Sequence, residues 1–122
     1  MTAYKNLEAW KKAMKLVSEI YLITKEFPKE ELYALTSQIK RAAVSIAANI
    51  AEGIGRNYKK DTIQFLHIAR GSVYELETLI HVALNVQLIS DDTFKMIENM
   101  LDEEIRILNG LIKSYKTRTD LK

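Results

Sequence analysis

Ile50-Ala51-Glu52-Gly53-Ile54-Gly55-Arg56-Asn57-Tyr58-Lys59-Lys60 is the stretch on which the fold turns. It interrupts two long segments of helical periodicity, and its two glycines end the first while its polar residues open the second. Working outward, Phe27-Pro28 closes an earlier segment, and Leu88-Ile89-Ser90-Asp91-Asp92 separates the third from a fourth. Ser90 or Asp91 suits a helix N-cap there, and Asn6 suits the cap of the first helix. The spacing predicts helices over about 6–27, 30–53, 59–87 and 91–116. Each would be about 33–43 Å long. Short links between rods of similar length force neighbours to run in opposite directions. The expected fold is therefore all-α, an antiparallel up-down-up-down four-helix bundle filling 1–122 as a single domain.

Composition agrees with this reading. Among 122 residues, 48% are hydrophobic and 28% charged, a balance that excludes a disordered chain. With 4 Gly and 1 Pro, an all-β fold lacks its turn residues. Having 0 Cys excludes disulfides, thiolate metal sites and a cysteine nucleophile. The opening Met1-Thr2-Ala3-Tyr4-Lys5-Asn6-Leu7-Glu8 has no basic start followed by an apolar run, and no segment has the roughly 18 apolar residues of a membrane span. A cytoplasmic location and no membrane contact are the expectations.

Periodicity then identifies the buried faces. The first helix carries Leu7, Trp10, Met14, Val17 and Tyr21 on one seam, and Leu16, Ile20, Ile23 and Phe27 on another. The fourth carries Phe94, Ile97, Leu101, Ile105, Leu108, Ile112 and Tyr115, with a second seam at Met96, Met100, Ile107 and Leu111. Two seams cover roughly half of a helix circumference, more than the stripe of about 100° that a monomeric core uses. Packing against further copies of the chain is the expected use of the surplus. The second helix has an apolar line at Leu32, Leu35, Ile39, Ala43, Ile46 and Ile50. Small residues stand around that line, and beside it runs a polar line at Gln38, Arg41, Ser45, Asn49 and Glu52. The third helix answers with Ala69, Gly71 and Ser72, flanked by Glu75. These residues suggest a hydrogen-bonded network at a helix seam, with Arg41 paired to Glu52 or Glu75. An ordinary solvated face is the competing reading.

The runs Phe27-Pro28-Lys29-Glu30-Glu31-Leu32-Tyr33-Ala34-Leu35-Thr36-Ser37-Gln38-Ile39-Lys40-Arg41, Asn49-Ile50-Ala51-Glu52-Gly53 and Gly71-Ser72-Val73-Tyr74-Glu75-Leu76-Glu77 carry a family likeness. Together with Leu7 and Trp10 they resemble a bacterial four-helix bundle family. That family is named for proteins encoded in intervening sequences of large-subunit ribosomal RNA genes. Two departures, Ala34 where relatives often have Gly and Ala47-Ala48 where they often have Pro-Ser, favour smoother helix here. The resemblance implies an antiparallel bundle and a homopentameric ring, and no agreed activity. Similar accessory proteins of diversity-generating retroelements bind nucleic acid through a basic surface, which makes RNA or DNA the ligand expected by analogy.

Enzyme constellations are sparse. His67 and His81 lie on one helix; Gln64 and Thr78 stand where a Glu-x-x-His metal pair would need acids, and Glu77 with His81 reads as a surface pair. Gly53-Ile54-Gly55 lacks the third glycine and the preceding strand of a dinucleotide loop; Gly53 reads instead as a left-handed helix cap. No catalytic residue, metal or cofactor is expected, and the chain reads as a non-enzyme. Charge is more informative. Overall it is +2, but residues 36–70 hold Lys40, Arg41, Arg56, Lys59, Lys60 and Arg70 against Glu52 and Asp61, while residues 71–122 are net acidic. Lys40, Arg56, Lys59, Lys60 and Arg70 are the candidate nucleic-acid contacts, with Tyr58 placed to stack on a base. The alternative is a protein-interaction module with no nucleic-acid ligand.

Overall fold

The computed structural model describes residues 3–119. After a short 3-10 turn at Ala3–Asn6, four helices follow: α1 Glu8–Thr24, α2 Leu35–Ile54, α3 Lys59–Asn85 and α4 Asp91–Thr117. A second 3-10 turn, Lys29–Glu31, lies between α1 and α2. No strand occurs among the described residues.

Side-chain pairs define the topology. Between α2 and α3, Ser45 meets Ser72 and Gly53 meets Thr62. Between α3 and α4, Arg70 meets Asn109 and His81 meets Phe94. Tyr21 of α1 meets Lys40 of α2, while Trp10 shares a groove with Ala51. Residue numbers rise along one helix as they fall along its neighbour, so successive helices are antiparallel. α4 closes back onto α1, with Lys12 3.4 Å from Glu103, and the diagonal pairs make no close approach among the described residues. The core is filled by residues that recur at helical spacing: Leu16 and Ile20, then Ile39, Ile46 and Ile50, then Leu66, Leu76 and Ile80, then Ile97, Leu101 and Leu108, all 0–1% exposed.

Several boundaries differ from the sequence reading. α1 begins without Asn6, which closes the preceding turn; Leu7 takes the cap position with no side-chain bond. α2 begins at Leu35 rather than 30, because Leu32 and Tyr33 are exposed and have no core to pack against. Ser90 does cap α4, accepting a 3.1 Å bond from the Thr93 amide. The left-handed cap expected at Gly53 is instead at Gln87, with φ 66° at the end of α3. There the Leu88 amide donates to the Ala83 carbonyl at 2.8 Å and the Gln87 amide to Leu84 at 3.0 Å, closing the helix in a Schellman arrangement.

Gly53 itself is helical and buried, and α2 continues through it to Ile54. What it supplies is room. A Cβ there would sit 2.8 Å from Phe65 Cβ and 3.2 Å from the Thr62 carbonyl oxygen. Both are anchored close to the α3 backbone. Thr62 uses this proximity, donating its hydroxyl to the Gly53 carbonyl at 2.7 Å. Gly110, by contrast, has nothing within 4 Å of its missing Cβ. Gly53→Ala should therefore destabilise the fold by about 1–3 kcal/mol, the usual range for overpacking. Gly110→Ala should stabilise it by up to about 1 kcal/mol through helix propensity. Urea unfolding of the two variants checks the opposite signs; equal effects would contradict the close packing of α2 on α3.

Candidate nucleic-acid interface

The turn between α2 and α3, residues 55–58, brings the end of one helix against the start of the next. Tyr58 takes the cap position of α3 without a side-chain bond, so the first amides of α3 have no side-chain acceptor. A helix start with open amides favours anions. Tyr58 is 56% exposed, its ring available to a ligand.

The structure divides the five candidate cations. Arg56, Lys59 and Lys60 lie at the turn. Arg56 is paired with Glu52 at 2.9 Å and stacks over the Phe65 ring at 4.6 Å. Lys59 donates from Nζ to the Arg118 carbonyl at 2.7 Å, fastening the end of α4 to the start of α3. Lys60 alone of the three is exposed with no side-chain partner. Lys40 is elsewhere: sixteen residues before Arg56, about 24 Å along α2, it lies over Tyr21 at 4.7 Å. Arg70 is also apart, about 16 Å along α3 from Lys59. Its guanidinium is occupied, donating to Asn109 Oδ1 at 2.8 Å and to His67 Nδ1 at 2.8 Å. Lys40 and Arg70 thus lie outside the turn site, because helical rise separates residues that segment 36–70 groups together.

The antiparallel topology adds cations that the same grouping hid. The end of α4 and the turn preceding α1 share this end of the bundle: Leu7 and Glu8 line a groove with Leu111 and Ser114, and Tyr4 lines one with Ala51. Exposed Lys5, Lys113 and Lys116 therefore join Lys60. Counting Arg56, Lys59 and Arg118 as well, this end carries seven cations against Glu8, Glu52 and Asp61. The opposite end carries Glu26, Glu30, Glu31, Asp91 and Asp92 against Lys25, Lys29 and Lys95. Lys113 and Lys116 fall within segment 71–122, which is net acidic, so only the pairing of helix ends reveals them.

Of the predicted polar network, Ser45 and Asn49 are joined and the other members are not. Ser45 and Ser72 share a 2.9 Å hydrogen bond across the α2–α3 seam, and Asn49 donates to the Ser45 carbonyl at 2.8 Å and to its hydroxyl at 3.0 Å. Glu52 is bound to Arg56 instead of Arg41. Arg41, Gln38 and Glu75 are exposed, and Arg41 has no acidic partner among the described residues. Arg41 and Glu52 are three turns apart, about 16 Å along the same helix, which precludes the pairing.

Two titratable groups are shifted here or in the core. Burial lowers the His67 pKa, reinforced by Arg70 and then Lys116. Its Nδ1 therefore accepts the Arg70 bond as a neutral imidazole. Glu104 is 1% exposed, its two carboxyl oxygens have no hydrogen-bond partner, and burial raises its pKa from near 4.5 to about 8, with Glu103 adding to the rise. It is a neutral acid buried inside the bundle.

A family model for the 23S rRNA-intervening sequence protein matches residues 5–110. The chain belongs to that family. Among solved structures it is similar to a protein of unknown function from the S23 ribosomal protein family of Bacteroides thetaiotaomicron. The two are 24% identical with a TM-score of 0.79, over 86% of this chain and 95% of the other, a likeness of fold. No curated protein matches the chain. No helix among the described residues is long and apolar enough to cross a membrane.

Glu104 gives the family member a testable pH signature. The folded chain holds a proton on it that the unfolded chain releases near 4.5, so stability falls as pH rises from about 4.5 towards 8. The expected slope is roughly 1 kcal/mol per pH unit. Glu104→Gln should remove that slope and be the more stable protein at pH 7.5; unfolding at pH 5.5 and 7.5 checks it. An equal pH response in both proteins would contradict the buried neutral acid.

Proposed function

We propose that this intervening-sequence family protein is a non-enzymatic, cytoplasmic homo-oligomer. In this reading it binds the phosphate backbone of structured RNA, or of DNA, through the basic end of the bundle. The observation that carries the reading is the convergence of Lys60, Lys113, Lys116 and Lys5 with the uncapped start of α3. Exposed cations without intramolecular partners are free to neutralise phosphates, and these four side chains are exposed. The family's name refers to 23S rRNA, and structured RNA is accordingly the first ligand to test.

The oligomeric part of the proposal rests on an outer apolar strip. The Leu16–Ile20 seam of α1 enters the core, while Met14 and Tyr21 of the other seam face outward and Trp10 and Val17 are partly buried against the core. Met14 and Val44 are 41% and 43% exposed, and with Trp10, Val17, Ala47 and Ala48 they line a groove of about 270 Å3 between α1 and α2. Covering this strip with a second copy would remove apolar surface from water. A ring of five, the assembly implied by the family resemblance, would repeat the basic end in each subunit and strengthen weak contacts through effective concentration.

Light scattering should give a multiple of 14.0 kDa, reduced by Met14→Glu with Val44→Glu; a monomeric wild type would defeat the assembly. Anisotropy of a labelled hairpin RNA should show binding that weakens steeply with salt. Combining Lys60→Gln, Lys113→Gln and Lys116→Gln should lower the slope of log K against log salt by about 2–3, since each lost phosphate contact contributes about 0.7–0.9. Lys40→Gln should leave it unchanged. Absence of salt-dependent binding, or a triple variant equal to wild type, would favour a protein-interaction module instead.

A further inference from the structure

Glu77 and His81 stand one turn apart on α3, on the same face. Antiparallel packing brings Glu98 of α4 against them. One ligand atom from each of the three residues lies within 4.8 Å of the other two. His81 Nε2 is 3.5 Å from Glu98 Oε2. In a tetrahedral site with bonds of about 2.0–2.1 Å, donor atoms are about 3.4 Å apart, so this pair already has the spacing of two ligands on one ion. The imidazole is held by edge contact with Phe94, at 4.8 Å between centroids and 68° between planes.

We propose that Glu77, His81 and Glu98 form a three-ligand site for a first-row divalent metal ion, joining α3 to α4 near the acidic end of the bundle. One imidazole nitrogen and two carboxylates suit Zn2+ and its neighbours, and a fourth position remains for water. A second observation points the same way. Glu98 Oε2 is shut off from solvent and has no hydrogen-bond donor. His81 Nε2 faces it at 3.5 Å without a hydrogen bond, and a metal ion shared by the two would satisfy it. No local Glu-x-x-His pair marks this site in the sequence, because its third ligand comes from a different helix.

Isothermal titration of the metal-stripped full chain with ZnCl2 tests it. The expected result is one saturable site per chain, with affinity reduced more than about tenfold in His81→Gln and in Glu98→Gln, at least the loss seen for outer-shell partners of known sites. His81 is more than half exposed, at 54%, so its replacement should leave the fold intact, as circular dichroism would show. His67→Gln, removing the other imidazole, should bind as wild type does. No saturable binding at micromolar ZnCl2, undiminished binding by His81→Gln and Glu98→Gln, or loss of binding in His67→Gln would overturn the site.

Discussion

The close approach of α2 to α3 is the constraint on which the rest of the structure depends. It is made by residues with little or no side chain. Gly53 leaves no room for a Cβ against Phe65 and Thr62. Ala42, Ala43, Ala47, Ala69 and Ser72 are all buried. Between them the Ser45–Ser72 and Thr62–Gly53 hydrogen bonds set the register. Polar bonds in a tight apolar seam are costly to leave unmade, so they specify one alignment of the two helices more than they add stability. With that alignment set, residues 55–58 can only turn sharply, and the start of α3 is held at the end of the bundle beside the last turn of α4.

From this arrangement follows a molecule with opposite charge at its two ends, although the net charge is only +2. Antiparallel helices bring residues far apart in sequence to one end, so the surface potential reflects helix ends more than sequence segments. Some of the cations at the basic end hold the structure together: Lys59 fastens α4 to α3, and Arg56 is held by Glu52 and Phe65. Those without partners are left to meet a ligand. The same logic at the other end crowds acids around His81 and Glu98, where a cation rather than a phosphate is the complementary species.

Fold class, helix number and core were legible in the sequence because they depend on periodicity. Leu16, Ile20, Ile46, Leu76 and Leu101 recur at helical spacing and are buried where that spacing puts them. Ser90 was legible as a cap because its chemistry is local. Gly53 was misread because a glycine near a helix end fits both a left-handed cap and a close packing contact, and only the neighbour distinguishes the two. Gln87 was missed as the left-handed residue because its side chain gives no such signal. The basic end was half legible: Arg56, Lys59 and Lys60 adjoin a visible turn, whereas Lys113 and Lys116 belong with them only once α4 is known to run back alongside α3.

The central claim is that this end, assembled from three separate segments, is a single phosphate-binding surface. Amide chemical-shift mapping of 15N-labelled protein with a hairpin RNA tests it most directly. The account predicts perturbations concentrated at residues 55–62 and 113–119 together with residues 4–8, diminishing along the bundle. Shifts centred on residues 28–34 and 88–92 at the acidic end, or no shifts at all, would contradict it.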